Sequence, residues 1–122
     1  MSTILLSINP EHIANIFDGN KTYEFRRVSC KREVTHIVFY CTSPVMKVVG
    51  KAKVSEVITC PPDELWDKTS AGAGISKGFF DEYYRGRESG TAFGLSDVVK
   101  FERERELSEY NISAPPQSFA YL

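Results

Sequence analysis

The sequence predicts an α+β fold, a small mixed β-barrel with about three short helices packed around it. Strand-like segments outnumber helical ones, and several are long enough to curl. The chain of 122 residues is also the usual size of one domain, so one core spanning residues 1–122 is expected. The 42% hydrophobic and 25% charged residues are ordinary for a globular chain. A chain of this length buries roughly two-thirds of its unfolded surface and needs neither metal nor disulfide to fold.

Thr3–Ile8 is short, aliphatic and stopped by Asn9 and Pro10, the pattern of a buried first strand. Asn9 then reads as an N-cap with Pro10 at the first helical position and Glu11 in the first turn, where the helix dipole favours an acid. Ile13, Ile16 and Phe17 follow at helical spacing and Gly19 is a natural stop, so a helix is expected over residues 10–18. Thr22–Arg27 alternates, with Tyr23 and Phe25 on one face and Thr22, Glu24 and Arg26 on the other. His36–Thr42 is a strong strand closed by Ser43 and Pro44. Met46–Thr59 is a long one whose Gly50 and Ala52 imply a close backbone or sharp curvature, with a bulge expected around Glu56–Ile58.

Pro61–Asp63 opens a second helix through Trp66, and Ser70–Gly74 reads as a flexible connector. Ser76 caps a third helix, Lys77–Arg85, with Phe79, Phe80, Tyr83 and Tyr84 as its aromatic stripe. Thr91–Leu95 and Val98–Leu107 are expected as the last two strands. The tail from Ala114 is extended, and its Phe119, Tyr121 and Leu122 predict that it docks. There is no repeat or low-complexity stretch.

The opening Met1–Pro10 lacks a basic region, and no run approaches the ~18 apolar residues of a membrane span. A cytoplasmic protein without membrane insertion is expected. Cys30, Cys41 and Cys60 are odd in number and match no CxxC-type ligand pattern, which predicts three reduced thiols. His12 and His36 have no acidic or cysteine partner at ligand spacing, so no metal and no cofactor are expected, nor a Ser-His-Asp arrangement. Gly72–Gly78 fits neither GxxxxGK[ST] nor GxGxxG. Net charge is −1, but the eight basic residues from Lys21 to Lys53 meet only Glu24 and Glu33 in that stretch, which fits an anion-binding face.

The candidate site is Lys21–Arg27. Glu24 and Arg26 share a strand face, about 7 Å apart along the chain, and Lys21 at the preceding corner can fold back over them. Glu24 can hold a cation in place or act as a general base beside one. Arg26 and Arg27 point to opposite faces, so only one of them can join Glu24. A salt-bridged strand face without function uses the same residues.

The run Ile4–Pro10, a short helix, and then Gly19-x-Lys21-x-x-Glu24-x-Arg26-Arg27 resembles the opening of ASCH domains, members of the PUA-like superfamily. The likeness continues through Tyr40–Pro44, Val49-Gly50, Leu65-Trp66 and the closing Pro115–Phe119 with Tyr121, and so covers nearly the whole chain. It implies a PUA-like β-barrel that binds RNA or a nucleotide-sized ligand in a cleft beside the helix-to-strand corner. Some ASCH proteins hydrolyse N4-acetylcytidine with a Lys, a Thr nucleophile three residues later and a further Glu; others cleave RNA. Here Lys21 matches the lysine, but Glu24 stands at the threonine position and the later Glu falls near Gly72–Gly74, where there is no acid. That amidohydrolase mechanism is therefore not carried over, and Thr22 is a weak substitute.

The expectation is a binding module for RNA, a nucleotide or a modified base. Lys21, Arg26 and Arg27 would meet phosphate, and Glu24 would accept from an exocyclic amine or orient Lys21. Tyr40, Ser43 and Phe119 would border or stack the base, ahead of the other candidate rings Trp66, Tyr83, Tyr84 and Tyr121, stacking being worth ~1–3 kcal/mol per base. A hydrolase using Lys21 and Glu24 is the alternative, and a regulatory adaptor using the acidic Glu102–Glu109 stretch is the third reading.

Overall fold

A computed structural model describes the whole chain, Met1–Leu122. The elements in order are β1 (Ser2–Ile8), α1 (Pro10–Phe17), β2 (Tyr23–Arg26), β3 (Val34–Cys41), β4 (Lys47–Cys60), α2 (Pro62–Thr69), α3 (Lys77–Tyr83), β5 (Gly90–Arg105) and β6 (Phe119–Tyr121). Short 3₁₀ turns occupy Ser70–Gly72 and Leu107–Tyr110. The six strands form one mixed sheet in the order β2-β5-β4-β3-β1-β6. β1 runs parallel to β3, and the other pairs are antiparallel. With three helices against it, this is an α+β half-barrel, which bears out the small mixed β-barrel expected from the sequence.

β1 carries an unbroken aliphatic run, Ile4–Leu6, because both of its faces are covered there. Ile4, Leu6 and Ile8 join Ile37, Phe39 and Cys41 of β3 in the main core under Ile13 and Ile16 of α1. Leu5 faces the other way, with Val38, Tyr40 and Val48, beneath Phe101, Leu107, Tyr110 and Ile112. The period of two thus assigns alternate residues to two clusters. A third cluster holds α2 and α3 on β2 and β5 through Phe25, Leu65, Phe80, Tyr84 and Ala92.

The sheet curls because β4 and β5 are long and irregular. Their ladder shifts register between Val48 and Gly50, Lys51 and Lys53, and Val54 and Glu56. The last shift lies just upstream of the expected bulge. Gly50 allows a close approach, since a Cβ there would sit 2.7 Å from the Phe17 ring and 2.5 Å from the Val99 carbonyl. The two strands expected over 91–107 are one: Asp97, at φ 48°, absorbs the bend while both halves stay paired to β4. The tail docks as a strand, with Leu6 opposite Phe119 and Ile4 opposite Tyr121.

β2 and β6 are the two edges of the curled sheet, and no ladder joins them. The Arg26 side chain crosses this seam instead. Its Nη2 donates to the Ser7 carbonyl at 2.9 Å, and its Nη1 reaches Ser118 Oγ at 3.5 Å. The Ser7 hydroxyl donates to the Pro116 carbonyl at 2.7 Å and ties the tail to the same place. In the acidic stretch on β5 and beyond, Glu106 pairs with Lys47 and Glu109 with Arg103, whereas Glu102 and Glu104 make no ion pair; upstream, Asp97 pairs with Lys53.

Candidate functional site

The site begins at the corner between α1 and β2. The Asn15 carbonyl accepts from both Asn20 N–H and Lys21 N–H at 3.0 Å, and Thr22 N–H bonds the Gly72 carbonyl at 2.8 Å. The Ser70–Gly74 stretch, expected as a flexible connector, is therefore clamped against β2. Gly74 is required there: it has φ +65°, and a Cβ would lie 2.9 Å from Lys21 Cα. The Thr22 hydroxyl reaches the Gly72 carbonyl at 3.4 Å, away from Glu24.

This clamp drives Lys21 inward. The residue is 2% exposed, and its ammonium donates to the Ala73 carbonyl at 2.9 Å. It lies 3.8 Å from Glu24 Oε1 and 4.8 Å from the centre of the Phe25 ring. Burial pushes its pKa below the usual lysine value, and the Glu24 charge opposes this only in part. Glu24, also buried, accepts from Arg26 Nη2 at 2.8 Å on its second oxygen. One carboxylate thus stands between two cations, and the trio carries a net positive charge.

Above the trio is a cleft of about 240 Å³ to which Ser7, His12, Phe79 and Tyr83 contribute walls. That is below the roughly 300–1,000 Å³ of sites for drug-sized ligands, and suits one flat heterocycle. His12 meets Phe79 edge to face, centroids 5.4 Å apart. Two buried polar atoms of the site, His12 Nδ1 and Arg26 Nε, have no hydrogen-bond partner. Unpaired buried polar atoms call for an explanation such as a ligand or an ordered water. A larger hollow of about 410 Å³ lies under the β2–β3 connection, but its charged lining, Arg32, Glu33 and Glu56, is solvent-exposed.

Of the residues singled out in the sequence, the structure brings Lys21, Glu24 and Arg26 together. Arg27 turns outward, its guanidinium 4.2 Å over the Tyr83 ring, as the strand period requires. Tyr40, 2% exposed, lies in the cluster on the far side of β3. Ser43 is exposed in the turn after β3 and does not line the cleft. Phe119 packs on the main core, edge to face with Tyr121; its neighbour Ser118 is the tail residue that reaches Arg26.

His12 and Phe79 are not expected at the cleft from the sequence, and Tyr83 ranks there below Tyr40 and Phe119 as a stacking ring. The signal for Phe79 and Tyr83 was present: α3 carries two aromatic pairs at i,i+4, and one helix cannot bury both against one core. Phe80 and Tyr84 take the core, whereas Phe79, 49% exposed, is left at the cleft.

No family model matches the chain. An ASCH domain-containing ribonuclease of Zymomonas mobilis is 31% identical over 122 residues, which are 97% of this chain and 82% of that protein. A crystal structure of ASCH from Zymomonas mobilis superposes with a TM-score of 0.89 at 30% identity, covering 99% of this chain and 87% of the other. Large ribosomal subunit protein uL22 of Ureaplasma parvum is 32% identical over 121 residues, but this chain spans only 39% of its length.

Proposed function

This chain belongs to the ASCH-domain family, and we propose that it binds RNA or a nucleotide by taking one base into the cleft over Lys21, Glu24 and Arg26. The observation that carries this reading is a buried, net-positive floor beneath aromatic walls. Glu24 accepts from an exocyclic amine, Lys21 and Arg26 supply positive charge, and Phe79, Tyr83 and His12 offer ring surfaces. Splayed bases in RNA are recognised by this combination of stacking and edge contacts. The Zymomonas relative, a ribonuclease by name, supports RNA as the polymer.

Residues 1–122 serve as one such module in this reading. A cytoplasmic setting is part of the proposal, supported by the free thiols of Cys30, Cys41 and Cys60, which suit a reducing compartment.

Hydrolysis of RNA is a second reading, favoured by the buried Lys21 amine with its lowered pKa beside Glu24. Glu24 would take the proton of a 2′-hydroxyl as its oxygen bonds to phosphorus. The bond from phosphorus to the 5′-oxygen breaks, and that oxygen leaves with a proton drawn from solvent water, giving a 2′,3′-cyclic phosphate that water can then open. Lys21 would offset charge on the phosphoryl oxygens.

The test is mass spectrometry of the protein with a nucleoside and nucleotide panel and a short RNA, recording bound species and products. Binding that is lost in Lys21→Ala, without products, is the expected result. Cyclic-phosphate ends that disappear in Lys21→Ala would replace it with the second reading. Neither binding nor products would remove both.

A further inference from the structure

Resting on the nucleotide reading of the cleft, we propose that the β2–β3 loop, Arg27–Arg32, is a separate phosphate-binding surface for the RNA strand flanking the bound base. Its contacts would come from Arg27, Lys31, Arg32 and the neighbouring Arg87.

The chain has fifteen basic residues, and eight of them are ion-paired with carboxylates. The excess of positive charge between Lys21 and Lys53 is therefore much smaller in space than in sequence. Lys21 and Arg26 share Glu24, while Lys47 and Lys53 are met by Glu106 and Asp97 across the β4–β5 ladder. Arg27, Lys31, Arg32 and Arg87 have no such partner, although Glu33 and Glu88 adjoin them in sequence. Arg87 Nη2 donates to the Arg27 carbonyl at 3.4 Å, which adds a fourth cation to the loop.

The loop's two arginines are also held in place by side-chain stacking. Arg27 lies flat over Tyr83 at 4.2 Å and donates from Nε to the Tyr83 carbonyl at 3.0 Å. Arg32 lies over Tyr121 at 4.3 Å, and the Tyr121 hydroxyl accepts the Lys31 and Arg32 N–H groups at 3.1 and 3.2 Å. Stacking occupies a guanidinium's face and leaves in-plane N–H groups for a phosphate, at a reduced entropic cost. Tyr83 joins the two surfaces, since it lines the cleft as well as carrying Arg27. A strand whose base enters the cleft would thus leave its rim at Arg27 and run toward Arg32. A free mononucleotide would not reach that far.

The experiment compares binding of a nucleoside monophosphate and of a short unstructured RNA over a range of salt. Wild type is set against a loop variant that spares the rim residue Arg27 (Lys31→Gln, Arg32→Gln, Arg87→Gln) and a control variant that removes three unpaired cations elsewhere (Lys51→Gln, Lys100→Gln, Arg105→Gln). In the loop variant the log–log salt slope for RNA is expected to fall by about 2, at roughly 0.7 per phosphate for a single strand, with mononucleotide affinity unchanged. The control variant is expected to keep the wild-type slope. Equal slopes in loop variant and wild type, an equal loss in the control, or RNA bound no tighter than the mononucleotide would each overturn the proposal. A wild type that binds RNA through the loop but no mononucleotide would sink the cleft reading alone.

Discussion

Lys21 and Glu24 stand 3.8 Å apart, ammonium to carboxylate, in side chains only 2% and 8% exposed. Neither is held for stability alone, because desolvating an ion pair costs about as much as the pairing returns. Replacing Lys21 with Met keeps most of its volume and leaves Glu24 its bond to Arg26. We expect Lys21→Met to change unfolding free energy by no more than about 1–2 kcal/mol, yet to weaken nucleotide binding at least about tenfold through loss of a charge-assisted contact. Urea denaturation and calorimetric titration of the same sample measure the two effects.

Arg26 has a different balance. It joins Glu24, the Ser7 carbonyl and Ser118 across the open seam. Arg26→Ala leaves a buried carboxylate with one cation and opens the seam, at an expected cost of about 3 kcal/mol or more. Arg26→Lys should recover only part, since an ammonium lacks the planar fork that serves three partners at once. Full recovery by lysine in urea denaturation would contradict the seam role.

Gly74→Ala tests the clamp. The residue has φ +65°, and an added Cβ would press on Lys21. The expected loss is about 1–3 kcal/mol from backbone strain, more if the crowding is not relieved. Nucleotide affinity should fall with it as Lys21 is displaced. A melting temperature equal to that of wild type would show that the Gly72–Gly74 stretch does not hold Lys21.

Alkaline pH separates two kinds of buried group. Burial pushes the Tyr84 hydroxyl well above the ordinary phenol value of 10.0, and the Cys30, Cys41 and Cys60 thiols above 9.0. With folded values raised, the unfolded chain releases these protons first. Their stabilising contribution is complete below the unfolded values and is lost as pH rises through the folded ones. Lys21 has the opposite sign: its folded pKa lies below 10.5, so the unfolded chain binds more protons in that window and stability rises with pH. Wild type should therefore gain stability relative to Lys21→Met as pH approaches 10.5. Tyr84→Phe should flatten the alkaline loss while costing about 1–2 kcal/mol near neutrality, because its hydroxyl donates to the Arg26 and Thr91 carbonyls. Denaturant midpoints across the alkaline range decide both.

Phe79→Ala tests the wall. Phe79 is half exposed and touches His12, so the fold should tolerate the change. Nucleotide binding should weaken by about 1–3 kcal/mol, equally at low and high salt, since stacking releases no counterions. A salt-dependent loss would mean that Phe79 acts through charged neighbours instead.

The charged floor was legible in the sequence because strand alternation places Glu24 and Arg26 on one face and Lys21 at the corner before them. The curled sheet was legible from strand lengths and from Gly50. Tyr40 and Phe119 were misplaced as ring surfaces because composition does not say which face of a two-sided sheet meets the cleft. Tyr40 alternates away from it, and Phe119 opposes Leu6 in the β1–β6 ladder. His12 and Phe79 meet only because α1 and α3, far apart in sequence, converge at the mouth. The same long-range packing turns Ser70–Gly74 from a connector into a clamp, through backbone bonds that no local pattern encodes.

The most direct test of the central claim, that a base enters the cleft over Lys21, Glu24 and Arg26, is photo-cross-linking of an RNA containing 4-thiouridine, with the attached peptide read by mass spectrometry. Attachment is expected within Ser7–His12 or Ile75–Tyr83, competed by free nucleotide and lost in Lys21→Met. Attachment on Val98–Arg105, unaffected by Lys21→Met, would contradict it.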